Sequence, residues 1–156
     1  YEILCEKLEK KQVTFIVDAT RELLINVLKN KPFLIKPNRQ ELEETFKTKI
    51  ESKEDIIVYA KKLQEMGAQN VLISLGGDGA ILVNSKDEVY YSKAPKGKVV
   101  NTVGAGDSMV AGFIAGYIKS GDFKQAFKMG IAAGSASSFS MDLATSEEVA
   151  SLLKEI

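Results

Sequence analysis

Apolar positions along the chain switch between short unbroken runs and stretches with helical spacing. Tyr1, Ile3, Leu4 and Leu8 recur at the interval of a helix that runs to about Lys11. Val13-Thr14-Phe15-Ile16-Val17 is a compact run rich in β-branched residues, ending at Asp18, and predicts a buried strand. Thr20 is placed to cap a second helix with Leu23, Leu24, Val27 and Leu28 on one face. Phe33-Leu34-Ile35 predicts a second strand closed by Pro37, after which Asn38 caps a helix carrying Glu41, Leu42 and Phe46. Ile56 to Met66 has the spacing of an amphipathic helix stopped by Gly67. Val71 to Leu75 is a third buried strand, Gly76-Gly77-Asp78-Gly79 a turn, and Ala80–Val83 with Val89–Tyr91 a hairpin.

Beyond Lys96-Gly97-Lys98, the segment Asn101 to Asp107 leads into a long helix. Met109, Val110, Phe113, Ile114, Tyr117 and Ile118 fall on one side of it. Phe123 to Phe139 is a further helix with a face of Gly and Ala, and Ser146, Glu148 and Val149 open a last one. Strands alternating with helices predict an α/β fold in three layers, with a mainly parallel sheet between helices.

Composition narrows the chemistry. The 156 residues make one domain or part of one. Helical spacing that starts at Tyr1 without a cap in front suggests a piece of something longer. Lys plus Arg and Asp plus Glu are both 21, so bulk charge gives no case for nucleic acid or an anionic membrane. Histidine is absent, which excludes a Ser-His-Asp triad, a Cys-His pair and a His-ligated zinc site. Cys5 is alone and cannot form an internal disulfide, which fits a reducing compartment such as the cytoplasm. No stretch resembles a signal peptide or an apolar span of about 20 residues.

Three constellations sit at predicted strand or loop ends. In Thr102-Val103-Gly104-Ala105-Gly106-Asp107-Ser108, small residues open a helix and let backbone N–H groups converge on an anion. A carboxylate in that first turn would repel a merely bound phosphate. It has a purpose if Asp107 takes the proton of a hydroxyl that attacks the phosphorus. The same residues also read as a plain helix cap with close packing. A dinucleotide fingerprint fails because Met109 stands where a small residue is needed, and no Gly-Lys-Ser/Thr of a Walker loop exists. Ser74-Leu75-Gly76-Gly77-Asp78-Gly79 follows a buried strand, where ligands gather in open α/β sheets, and also reads as a tight turn. In Lys36-Pro37-Asn38-Arg39-Gln40-Glu41, Lys36 offers a cation for phosphate, and Glu41 could hold magnesium through its water shell. Asn38 and Glu41 equally spell a capping box.

Together, Asn101-Thr102-Val103-Gly104-Ala105-Gly106-Asp107-Ser108-Met109, the upstream Asn38-x-x-Glu41 and Ser74-Leu75-Gly76-x-x-Gly79 resemble the ribokinase-like (PfkB) carbohydrate kinases. Lys36-Pro37-Asn38 and Met109-Val110-Ala111-Gly112-Phe113 resemble its 1-phosphofructokinase and tagatose-6-phosphate kinase branch. The resemblance covers the whole chain as the C-terminal, nucleotide-binding half of the family's domain, without the lid. It implies ATP-dependent phosphoryl transfer to a ketohexose phosphate, with Asp107 as base and Gly104, Ala105 and Gly106 as anion hole; the substrate expected is fructose 1-phosphate, giving fructose 1,6-bisphosphate, and the alternatives are a tagatose-6-phosphate kinase or a nucleotide-binding fragment without catalysis. It implies an ATP site with Lys36, Asn38, Ser74, Gly76, Gly77, Asp78 and Gly79, Ser135 beside adenine within the segment 131–138, and magnesium organised by Glu41. Potassium in some relatives would correspond to Asn101, Val103, Ser137 and Ser140, although Asn101 stands where many relatives have Asp. The resemblance also implies a homodimeric parent, and an exposed sheet edge where the remaining half would pack.

Overall fold

The computed structural model describes residues 2–19 and 21–156, so the expected cap Thr20 and the helical position Tyr1 lie outside the described residues. In chain order the elements are α1 (Glu2–Lys10), β1 (Ile16–Val17), α2 (Arg21–Leu28), β2 (Leu34–Ile35), α3 (Arg39–Phe46), α4 (Lys53–Glu65) and β3 (Asn70–Ser74). A single 3-10 turn, Gly76–Asp78, precedes β4 (Ala80–Val83), β5 (Val89–Ser92), α5 (Ala105–Ser120), α6 (Phe123–Phe139) and α7 (Ser146–Leu153). The strands form one sheet in the order β1-β2-β3-β4-β5. β1, β2 and β3 run parallel, with Val17 opposite Ile35 and Ile35 opposite Val71. This is the expected α/β architecture.

Two compact units make up the chain. The first holds the residues up to Leu75 together with Ile81–Val89. Its core joins Val17 and Ile35 with Val71 and Ile73 of the sheet to Leu24, Val27 and Leu28 of α2, Leu42 of α3 and Ile56, Ala60 and Leu63 of α4. Two side-chain amides are wholly buried here and fully used. Asn70 donates to Phe33 O and accepts from Ser85 N–H, while Asn84 donates to Glu88 and accepts from the N–H groups of Lys86 and Glu88. Such hydrogen bonds offset the cost of burying these groups.

The second unit holds Gly76–Ala80 and Tyr90–Ile156. It is organised by α5 against α6, and the contact is made of missing side chains. A Cβ on Gly112 would lie 2.6 Å from Met129 O, and one on Gly116 would lie 2.8 Å from the Cα of Ala126. From the other helix, a Cβ on Gly130 would come within 2.9 Å of Met109 O. The Gly and Ala face of α6 is therefore a bed for the backbone of α5, with Phe113 fully buried between the glycines of its own helix.

Several expectations are corrected. The first strand is only Ile16–Val17, because Val13 and Thr14 are exposed and pair with nothing along the ladder. Leu23 is 51 % exposed and Ile118 80 %, so both leave the faces assigned to them. Of the apolar face expected for α5, Met109 and Phe113 do pack against α6, where Gly112 and Gly116 join them, and Ile118 is the one of the six that is exposed. α4 starts earlier than Ile56, since Ser52 accepts from Asp55 N–H and Asp55 accepts from Ser52 N–H in a capping box. α7 is capped by Thr145 with Glu148 in the same manner.

Gly112→Val is expected to lower stability by about 1–3 kcal/mol through overpacking, read as a shift in the urea midpoint. The Ser52 and Thr145 partners hold the Asp55 and Glu148 carboxyls below their ordinary pKa values. Their stabilising contribution is present above the unfolded carboxylate range and is lost as pH falls through the lowered folded value. The difference in melting temperature between the parent and Glu148→Gln should therefore be present at neutral pH and vanish in acid.

Candidate active site

In the first unit, three parallel strands end side by side and deliver polar residues. β2 ends at Ile35, and the chain continues through Lys36 and Pro37 so that Asn38 bridges Ser74 at the end of β3. Ser74 N–H donates to Pro37 O at 3.2 Å. Asn38 then caps α3: its Oδ1 accepts from Glu41 N–H at 2.9 Å, and Glu41 Oε2 accepts from Asn38 N–H at 2.7 Å. The capping box is thus real, and it takes up one oxygen of the Glu41 carboxylate. Lys36 is buried, and its Nζ lies 3.3 Å from Asp18 Oδ2. The cation is therefore already paired, with a residue that the sequence reading marked only as the end of a strand.

In the second unit the turn into α5 starts the helix without a side-chain cap. Gly104 is the N-cap with φ +79, a left-handed conformation that glycine adopts without strain, and it has no side chain to cap the helix. The Gly106 and Asp107 N–H groups, which a capping side chain would normally engage, receive no cap from this residue. Ala105 N–H instead closes a turn onto Thr102 O at 3.2 Å. Asp107 is exposed in the first turn of α5 and does not act as its cap.

Buried partners fix this turn. Gly134 of α6 lets Ala105 O approach to where a Cβ would lie 3.1 Å away. Ser137 is buried; its hydroxyl donates to Ser108 Oγ at 2.8 Å and accepts from Ala144 N–H at 3.2 Å. Asn101 Oδ1 accepts from Val103 N–H at 3.0 Å, and its Nδ2 donates to Met141 O at 3.2 Å. Ser140 Oγ donates to Ala136 O and to Glu148. Ser135 is half-buried on α6.

The Gly76–Asp78 turn is exposed, and a Cβ on Gly76 or Gly77 would meet nothing within 4 Å. Gly79 differs: its Cβ would lie 1.9 Å from Ser92 O, so its identity follows from packing beside β5. Of the expected residues, the first unit brings together Lys36, Asn38, Glu41 and Ser74, and the second gathers Asn101, Val103, Gly104, Ala105, Gly106, Asp107 and Ser137. The sequence reading missed Asp18, and it missed the Ser108–Ser137 hydroxyl pair. Opposite charges just past two adjacent parallel strands would have flagged Asp18; two serines 29 residues apart carry no such signal.

The arrangement suits a backbone cradle for a phosphoryl group beside an exposed carboxylate. Comparison with known proteins identifies the family. The family described as pfkB family carbohydrate kinase matches residues 2–150. The 1-phosphofructokinase of Bacillus subtilis is 46% identical over 156 residues, covering 100% of this chain and 51% of that protein. The D-tagatose-1-phosphate kinase of Bacillus licheniformis is 39% identical over 144 residues, covering 92% of this chain and 47% of that protein. Among solved structures, phosphofructokinase-2 from Escherichia coli in complex with potassium has a TM-score of 0.91 at 28% identity, covering 99% of this chain and 51% of that one. The chain spans about half the length of the curated relatives it matches.

Ser137→Ala removes the partner of Ser108 and of Ala144 N–H at once. It is expected to cost about 1–3 kcal/mol, read by denaturant unfolding.

Proposed function

The chain belongs to the pfkB family of carbohydrate kinases, and from that premise we propose that residues 1–156 form the C-terminal, nucleotide-binding half of an ATP-dependent ketohexose-phosphate kinase. The substrate proposed is fructose 1-phosphate, giving fructose 1,6-bisphosphate and ADP. What supports the reading most is Asp107, an exposed carboxylate in the first turn of α5 beside uncapped helix N–H groups. In this mechanism the hydroxyl proton passes to Asp107 as the sugar oxygen attacks the γ-phosphorus. The bond from that phosphorus to the β–γ bridging oxygen breaks, and ADP leaves. Gly104, Ala105 and Gly106 shape the cradle, whose N–H groups meet the charge on the transferring group.

Lys36, Asn38 and Ser74, with Gly76, Gly77, Asp78 and Gly79, are proposed to serve the ATP site, and Ser135 the adenine. Magnesium is proposed as a water-held ion beside Glu41, which keeps one oxygen beyond its capping bond. When bound with ATP, the ion would offset phosphate charge. Potassium is proposed at the carbonyls of Asn101, Val103, Ser137 and Ser140. At Asn101 the side-chain amide is engaged at both ends, which leaves its backbone oxygen for the ion. Support for the ion comes from the potassium complex of the 28% identical relative.

A tagatose phosphate is the second substrate reading, supported by the 39% identical D-tagatose-1-phosphate kinase. The branch resemblance points to tagatose 6-phosphate as the form. The complete kinase is proposed to be a homodimer in the cytoplasm. The phosphofructokinase-2 relative has a tetrameric form, and no helix among the described residues is long and apolar enough to cross a membrane.

The test is a chimera in which this chain replaces the matching half of the Bacillus subtilis enzyme, assayed with fructose 1-phosphate and with both tagatose phosphates. Asp107→Asn should lower its turnover by about 10²–10⁴-fold and leave ATP affinity unchanged. Near-normal turnover in that variant would remove Asp107 from the role of base.

A further inference from the structure

Asp18 and Lys36 are each the first residue beyond a strand. Val17 and Ile35 are register partners in the parallel β1–β2 pair, so the next residue on each strand stands beside the other. The two side chains meet at 3.3 Å, with Lys36 9 % exposed and Asp18 34 %. Two residues further on, Asn38 bridges to Ser74. An ammonium this buried needs a counter-charge. Deprived of one, it relocates toward water, because an uncompensated buried charge is far costlier than the pair. An ammonium also has three donors, and one carboxylate oxygen leaves others to serve a second anion.

We infer that Asp18 is a positioning residue for nucleotide phosphate: it holds the Lys36 ammonium at the carboxyl end of the sheet, where Lys36 can donate to the polyphosphate. The inference rests on the proposed nucleotide site. Asp18 acts through Lys36 and does not itself touch the ligand. Losing Asp18 also removes a negative charge, which alone would favour an anionic ligand. Displacement of Lys36 outweighs it, because the cation then no longer occupies the site.

The experiment is titration of this chain with ATP, ADP and AMP by calorimetry, together with a thermal melt of each variant. Asp18→Asn preserves side-chain size, and is expected to weaken ATP binding by roughly tenfold with little change for AMP. Lys36→Met should produce the same selective loss, and the double variant should lose no more than Lys36→Met alone. Asp18→Glu keeps the charge while moving the carboxylate by one methylene. It guards against an Asn variant that does not fold, and should show a smaller loss in the same ATP-to-AMP ratio. ATP binding by Asp18→Asn as tight as, or tighter than, that of the parent would overturn the inference. So would an equal loss for ATP and AMP, which would mean general damage. Failure of the parent chain to bind any of the three nucleotides would instead overturn the nucleotide reading, and the inference with it.

Discussion

The second unit depends on how closely the backbones of α5 and α6 approach. Glycines at 112 and 116 on one helix and at 130 and 134 on the other remove the side chains that would hold the axes apart. With helices in contact at that range, a shift of a fraction of an ångström is resisted by backbone atoms rather than by flexible side chains. The first turn of α5 is therefore held as firmly as the core is. The proposed phosphoryl cradle would inherit that rigidity, and this matters because donors aimed at developing charge help only when they need no reorganisation. The Ser108–Ser137 bond and the Asn101 clamp extend the same fixation into the loops on either side.

The first unit reaches order by a different route. Here the sheet register does the placing. Parallel strands that end together put Asp18, Lys36, Asn38 and Ser74 at one edge, and the capping box of α3 turns the chain away immediately afterwards. Polar groups at such an edge satisfy each other: Asn38 with Glu41, Lys36 with Asp18. A region of mutually paired groups holds its shape without a ligand.

Much of this was legible in the sequence, for identifiable reasons. The Asn38–Glu41 box, the Gly67 stop and the limits of α6 follow from local chemistry, and the structure has them where the residues indicate. The uncapped start of α5 was legible because Gly104 brings no side chain to cap the helix. The short β1 was not legible. Val13 to Val17 has the composition of a strand, but exposure along its first half is decided by tertiary neighbours. Ile118 was misplaced because the contact of α5 with α6 centres on Gly112 and Gly116, and Leu23 lies at the margin of the α2 face that buries Leu24, Val27 and Leu28. Asp18 was missed as a partner because it lies 18 residues from Lys36, and its one signal, an opposite charge just past a neighbouring strand, depends on the strand register. The glycines of the Gly76–Gly79 turn were read as one motif, whereas packing requires Gly79 and leaves Gly77 unconstrained.

That last asymmetry gives the molecule an attachment point. Gly77 is exposed, has open space where a side chain would go and does not have a positive φ. The chain's one thiol, Cys5, is buried, and burial pushes its pKa up, so it reacts sluggishly. A cysteine introduced at 77 would accept a fluorophore almost alone. The dye would then report directly from the turn proposed to seat the nucleotide, on a protein otherwise silent to thiol labelling.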